Sequence, residues 1–142
     1  MYTEGPLEVI GSWSVLSPTE EQTPGVRETV PLVPHQAAEI GAIVESEKRG
    51  RIGAEIGYTG RQALEYNPYR SVSEPYFELN VLGELRVGEL ELFANALNLF
   101  NVRQTQYDPL VRPTAGPGGD PITEGWAPLA GRTFNLGVRV EL

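Results

Sequence analysis

From Phe134 to Leu142 the chain alternates without a break: Phe134, Leu136, Val138, Val140 and Leu142 are apolar, and Asn135, Gly137, Arg139 and Glu141 separate them. Successive side chains of a strand point to opposite faces, so this spacing predicts a strand with one apolar face. On a helix the same residues would scatter around the axis. Ile52, Ala54, Ile56 and Tyr58 alternate with Arg51, Gly53, Glu55 and Gly57, and Leu79, Val81, Leu85 and Val87 with Glu78, Asn80, Glu84 and Arg86. Leu90, Leu92, Ala94 and Ala96 repeat the pattern against Glu89, Glu91 and Asn95, with Phe93 out of step. Two less regular runs, Leu7 to Leu16 with Val9, Trp13 and Val15, and Gln36 to Ser46 with Ala38, Ile40, Ala42 and Val44, bring the set to about six strands. The one helical signal is a short turn around Leu97 to Asn101. The expected fold is all-β, an antiparallel up-and-down meander, with residues 1–142 forming one unit.

The connections alternate in length. Lys48-Arg49-Gly50 and Val87-Gly88-Glu89 read as tight turns, whereas Pro18 to Pro34, Arg61 to Pro75 and Asn101 to Arg132 are long and rich in Pro, Gly and polar residues. In a meander, alternate connections share an end, so all the long loops fall at one end and both tight turns at the other. Bacterial membrane barrels have this asymmetry, and their strands are roughly 9 to 11 residues long. Tyr58, Tyr76, Phe77, Phe100 and Phe134 stand near strand ends that border the long loops, where an aromatic girdle is expected.

A formal charge of -8 excludes a nucleic-acid phosphate backbone as partner, because such binders present basic stripes. Cysteine is absent, which removes disulfide scaffolds, thiolate metal sites and cysteine nucleophiles. No run approaches the roughly 18 apolar residues of a membrane helix, but barrel strands alternate and leave mean hydropathy near that of a soluble protein. The N-terminus lacks the basic start and apolar run of a secretory leader. Read as a barrel, the chain is therefore expected to be the end of a longer one.

Three stretches carry a resemblance. Leu92-Phe93-Ala94-Asn95-Ala96-Leu97-Asn98-Leu99-Phe100-Asn101, continuing through Val102-Arg103-Gln104-Thr105-Gln106-Tyr107-Asp108-Pro109-Leu110, is similar to the penultimate strand and last outer loop of TonB-dependent outer-membrane receptors. The ending from Gly131 to Leu142 resembles that family's closing strand, and Tyr58-Thr59-Gly60-Arg61-Gln62 with Asn67-Pro68-Tyr69-Arg70 adds a third match. The resemblance runs from about Pro6 onward and implies the last, open portion of a large transmembrane β-barrel of roughly 22 strands, with the plug domain and earlier strands outside this sequence. It implies no cofactor. The implied partners are outer-membrane lipid, the remaining strands and plug of the parent receptor, the barrel-assembly machinery, and the TonB system acting through the plug. In the family that machinery reads the closing strand, here Phe134, Leu136, Gly137, Val138, Val140 and Leu142. The sequence departs from the pattern at its last residue, where Leu142 replaces the usual aromatic.

The charged residues favour a wall over a catalytic site. Glu39, Glu45, Glu55, Glu78, Glu84, Glu89, Glu91 and Glu141, with Arg51, Arg86 and Arg139, are spread over the polar faces of all the strands, as on a solvated barrel interior. His35 is the single histidine and makes neither a metal cluster nor a triad. Asn95, Asn98 and Asn101 are expected in turn and cap roles. Asp108 and Asp120 lack the spacing of a calcium loop, and Gly116, Gly118 and Gly119 lack the strand-to-helix setting of a phosphate loop. Tyr107, Arg112 and Trp126, in the last long loop, are the candidate ligand contacts, with simple exposed loop packing as the favoured reading.

The expected function is thus not enzymatic: a segment of a receptor in the bacterial outer membrane that imports a scarce ligand of the siderophore, cobalamin or oligosaccharide class. A soluble β-sandwich or β-barrel binding module is the alternative, because alternation alone does not distinguish lipid from a protein core.

Overall fold

The computed structural model describes residues 2–4, 7–46, 48–113 and 122–140. The expectations placed on Glu141, Leu142, Asp120 and the glycines at 116, 118 and 119 lie outside the described residues.

The described residues form nine strands: β1 (Tyr2–Glu4), β2 (Leu7–Val15), β3 (Thr19–Thr23), β4 (Val26–Thr29), β5 (Gln36–Ser46), β6 (Gly50–Thr59), β7 (Tyr76–Val87), β8 (Leu90–Leu97) and β9 (Thr133–Val140). Seven make one sheet in the order β1-β2-β5-β6-β7-β8-β9, every neighbouring pair antiparallel, and β3-β4 is a separate hairpin. The six long strands are those expected from the alternation, in the expected meander, and the sheet is open rather than closed into a barrel.

Both tight turns depend on glycine. Gly50 adopts φ 110°, and a Cβ there would lie 2.1 Å from the Glu84 carbonyl oxygen, so neither the conformation nor the space admits another residue. Gly88 opens the two-residue turn between Val87 and Leu90 with φ 63°, the mirror-image conformation that matches the twist of a hairpin. The three long connections between the six long strands, whose described residues are 16–35, 60–75, 98–113 and 122–132, leave the sheet at the opposite end.

Register places the alternating apolar residues on one face, while Ile10, Ile43, Leu82, Phe93 and Leu97 lie among the charges on the other. Trp13 pairs with Ala38, Ala38 with Tyr58 and Tyr58 with Phe77; Gly11, Ile40, Ile56 and Leu79 make the next row; Val9, Ala42, Ala54, Val81, Ala96 and Phe134 the next. As far as the described residues reach, every alternating set named from the sequence falls on this face, and no charged residue of the six long strands shares it. Phe93 lies on the polar face, as its phase required. So does Tyr76, paired with Thr59, which corrects its placement in the aromatic girdle; Tyr58, Phe77 and Phe134 are on the apolar face and Trp13 joins them.

Two local features differ from the sequence reading. Leu97 ends β8, and residues 98–101 form a turn, not a helical one: the Asn101 N–H donates to the Asn98 carbonyl at 2.7 Å, with both asparagines at positive φ, and the short 3-10 helix lies further on at Gln104–Gln106. The first long loop contains the β3-β4 hairpin, turned at Pro24-Gly25 with Gly25 at φ 81°. Proline followed by a positive-φ glycine is the signature of a type II turn.

Candidate functional site

No described residue forms a second layer over the apolar face. Leu136 is 82% exposed, Trp13 72%, Phe134 64% and Phe77 50%. At roughly 150–250 Å² per aromatic side chain, Trp13, Phe77 and Phe134 alone expose on the order of 400 Å², comparable with the largest patch on a typical soluble monomer. Val15, Ile40, Ile52, Leu85, Val87, Val138 and Val140 extend the exposed surface across the sheet. Strands of 10 to 12 residues in β5, β6 and β7 are about 33–40 Å long, and tilted by about 45° they span about 25 Å, the height of the apolar band of a membrane barrel.

The opposite face carries the charges, and ion pairs cross its strands. Arg51 on β6 bonds Glu84 on β7 at 2.6 Å. Glu91 on β8, 5% exposed, receives Arg86 from β7 at 3.3 Å and Arg139 from β9 at 2.5 Å, one arginine on each carboxylate oxygen. With a guanidinium on each oxygen, this carboxylate ties β7, β8 and β9 together. Asn80 reaches Glu55 at 3.3 Å.

The interior of the molecule lies in its loops. Apart from Glu91 and Gly53 on the sheet, the described buried residues cluster at the long-loop end, among them Gln62, Leu64, Ser73, Asn98, Val102, Gln104, Asp108, Thr123 and Trp126. Gln104 is fully buried and its amide is fully used. Its oxygen accepts the Trp126 N–H at 2.9 Å and the Ala127 N–H at 3.4 Å, and its nitrogen donates to the Glu124 carbonyl at 2.6 Å and to Thr123 Oγ1 at 3.3 Å. Asn98 closes the base of the same loop, accepting the Val102 N–H at 2.9 Å and donating to the carbonyls of Val102 and Ala130.

The second and third loops are fastened together. Gln62 donates to the Trp126 carbonyl at 3.1 Å, and Tyr69 Oη donates to the Val111 carbonyl at 2.7 Å. Arg70 bonds Asp108 at 2.9 Å and Glu74 at 3.0 Å, and its guanidinium carbon stands 5.6 Å from the Trp126 ring centroid. The first loop joins through backbone bonds from Leu32 to the Ala63 carbonyl and from His35 to the Arg61 carbonyl. The exposed Tyr66 hydroxyl at the rim is held above its ordinary pKa by its hydrogen bond to Glu65 and by that carboxylate's charge.

No family model, curated protein or solved structure matches this chain. The residues chosen from sequence as loop ligand contacts are therefore judged by their placement alone. Tyr107 and Trp126 come together with ring centroids 5.3 Å apart, but Trp126 is only 3% exposed and forms the centre of the loop packing. Arg112 stands apart from them and donates to the Ile122 carbonyl beside the Val111–Ile122 bridge. Of the expected assembly-signal residues on β9, Phe134, Leu136, Val138 and Val140 line the apolar face, and Gly137 lies opposite Phe93 on the polar one. Among the described residues no group of three His, Asp or Glu side chains is disposed to hold a metal. The sequence reading assigned no role to Gln62, Arg70 or Gln104; they lie in loops without periodicity, and only their spatial partners reveal them.

Proposed function

We propose that this chain is a wall segment of an outer-membrane β-barrel of the TonB-dependent receptor class, through which a scarce ligand such as a siderophore, cobalamin or an oligosaccharide enters the cell. The observation that carries the proposal is the unbroken, exposed apolar face shared by six strands in register. Water makes such a face costly at about 25 cal/mol per Å², whereas lipid solvates it at no cost. A charged opposite face suits a hydrated lumen and a plug domain, and the fastened loops suit the outer rim, where incoming ligand is first met. In this role β9 is the strand offered to the barrel-assembly machinery, and energy reaches the gate from the TonB system through the plug.

A soluble sandwich would need a second sheet over the apolar face, and none of the described residues provides one. The test is fractionation of cells that express the protein. The expected result is recovery in the outer membrane, extraction only with detergent, and a folded band on gels that shifts on heating. Recovery in the soluble periplasm would overturn the proposal and favour the binding module.

A further inference from the structure

The apolar face fixes which side of each strand meets its surroundings, but it does not fix register. A one-residue slip of β9 against β8 would turn its apolar set to the other face and is excluded on that ground. A two-residue slip keeps every apolar residue where it belongs. It would set Leu136 opposite Leu92 or Ala96 in place of Ala94, an exchange of one apolar neighbour for another. The turn does not decide either. Hairpins take their register from short turns, as β7 and β8 do through Gly88-Glu89, but β8 and β9 are joined through residues 98–132.

Phe93 supplies what is missing. It is the one aromatic residue of β8 on the polar face, and its partner on β9 is Gly137. The ring lies over that glycine: a Cβ at position 137 would fall 2.1 Å from Phe93 Cζ and 2.5 and 2.7 Å from its Cε atoms. A two-residue slip in either direction would bring Arg139 or Asn135 beneath the ring, which would then have to swing aside from its place over the strand. Looser versions of the same arrangement occur on the same face. Ile10 stands opposite Gly41 and Ile43 opposite Gly53, with side-chain carbons 3.6 and 3.4 Å from where those glycines would carry a Cβ.

We infer that Phe93 and Gly137 form a register lock for the closing pair of strands, with Phe93 as a positioning residue rather than a ligand contact. The large side chain covers a glycine, as aromatic residues do when they rescue glycines in a sheet. A slip must then lift the ring or displace the backbone.

Cysteine pairs in the full-length protein, folded in detergent, read the register directly. Ala94→Cys with Leu136→Cys reports the native pairing, and Ala94→Cys with Val138→Cys reports the slipped one. The native pair is expected to form the only efficient disulfide in an otherwise unaltered chain. Phe93→Ala and Gly137→Ala are each expected to raise the slipped disulfide at least several-fold, and the exchange Phe93→Gly with Gly137→Phe to restore the native one. Should either single variant fail to fold, the exchange decides: recovery of the native disulfide supports the lock. Native pairing alone in both single variants, or an exchange that does not recover it, overturns the inference. Disulfide formation depends on register and not on the solvent around the sheet, so this result stands apart from the membrane proposal.

Discussion

Gln62 and Trp126, 64 residues apart in the chain, are joined by a hydrogen bond of 3.1 Å from the Gln62 amide to the Trp126 carbonyl. Around it the second and third long loops share one buried interior, so they are expected to open together rather than singly. Gln104 is its centre, and Gln104→Ala would leave several buried backbone groups without partners at about 1–3 kcal/mol each. A loss of about 3 kcal/mol raises the open population roughly a hundred-fold. Limited proteolysis is expected to cut residues 103–132 faster by that order while the sheet stays intact. Unchanged cleavage would show that the loops are held by something other than this amide.

The facing of β9 gives a second expectation. Leu136 is on the apolar face and Asn135, its chain neighbour, on the polar one opposite Asn95. In a bilayer, Leu136→Arg costs about 2–4 kcal/mol near the midplane, and Val138→Asp somewhat less, whereas Asn135→Arg meets water and costs little. The heat-modifiable folded band is expected to fall sharply for the first two and to persist for the third. Equal tolerance of Leu136→Arg and Asn135→Arg would mean that the apolar face does not meet lipid.

What was legible in the sequence was periodic. β5 spans Gln36–Ser46, the run marked from sequence, and β9 begins one residue before Phe134, because alternation with one-sided burial leaves only one phase for the backbone. The β3-β4 hairpin was missed because Thr19-Glu20-Glu21-Gln22-Thr23 has no apolar alternation; its signal was the Pro24-Gly25 turn alone. Tyr76 was placed with the girdle by its position along the strand, but a strand that puts Phe77 on one face must put Tyr76 on the other. Trp126 was read as an exposed loop residue, and its burial depends on Gln62, Arg70 and Gln104, partners that no local pattern ties to it. Phe93 broke the alternation for a reason visible only across strands, the glycine opposite it.

The two turn glycines separate conformation from space. Gly88 has positive φ but nothing within 4 Å of a built Cβ, so Gly88→Ala costs only the left-handed conformation, about 1–2 kcal/mol. Gly50→Ala adds a collision with the Glu84 carbonyl, a backbone atom that moves only if β7 moves. Denaturant unfolding in detergent is expected to show a modest shift of midpoint for Gly88→Ala and loss of most folded protein for Gly50→Ala. Similar shifts for both would mean that the β6-β7 backbone gives way more easily than its pairing implies.

The last expectation concerns the sheet's edges. Among the described residues β9 pairs only with β8, and the Ile10–Val15 part of β2 pairs only with β5. Each unpaired N–H or C=O in hydrocarbon costs several kcal/mol, so an open sheet in a bilayer must have both edges covered by further strands. In water the edges are solvated, but the exposed apolar face beside them favours stacking and edge-to-edge association. The 142-residue chain by itself is therefore expected to sediment as large aggregates from detergent-free buffer and to remain dispersed in detergent. Joining it to strands that pair with both edges is expected to yield a smaller, protease-resistant species. A chain that sediments in plain buffer as a single soluble monomer would have hidden its apolar face within itself. That outcome would sink the membrane-wall proposal and leave the β-sandwich in its place.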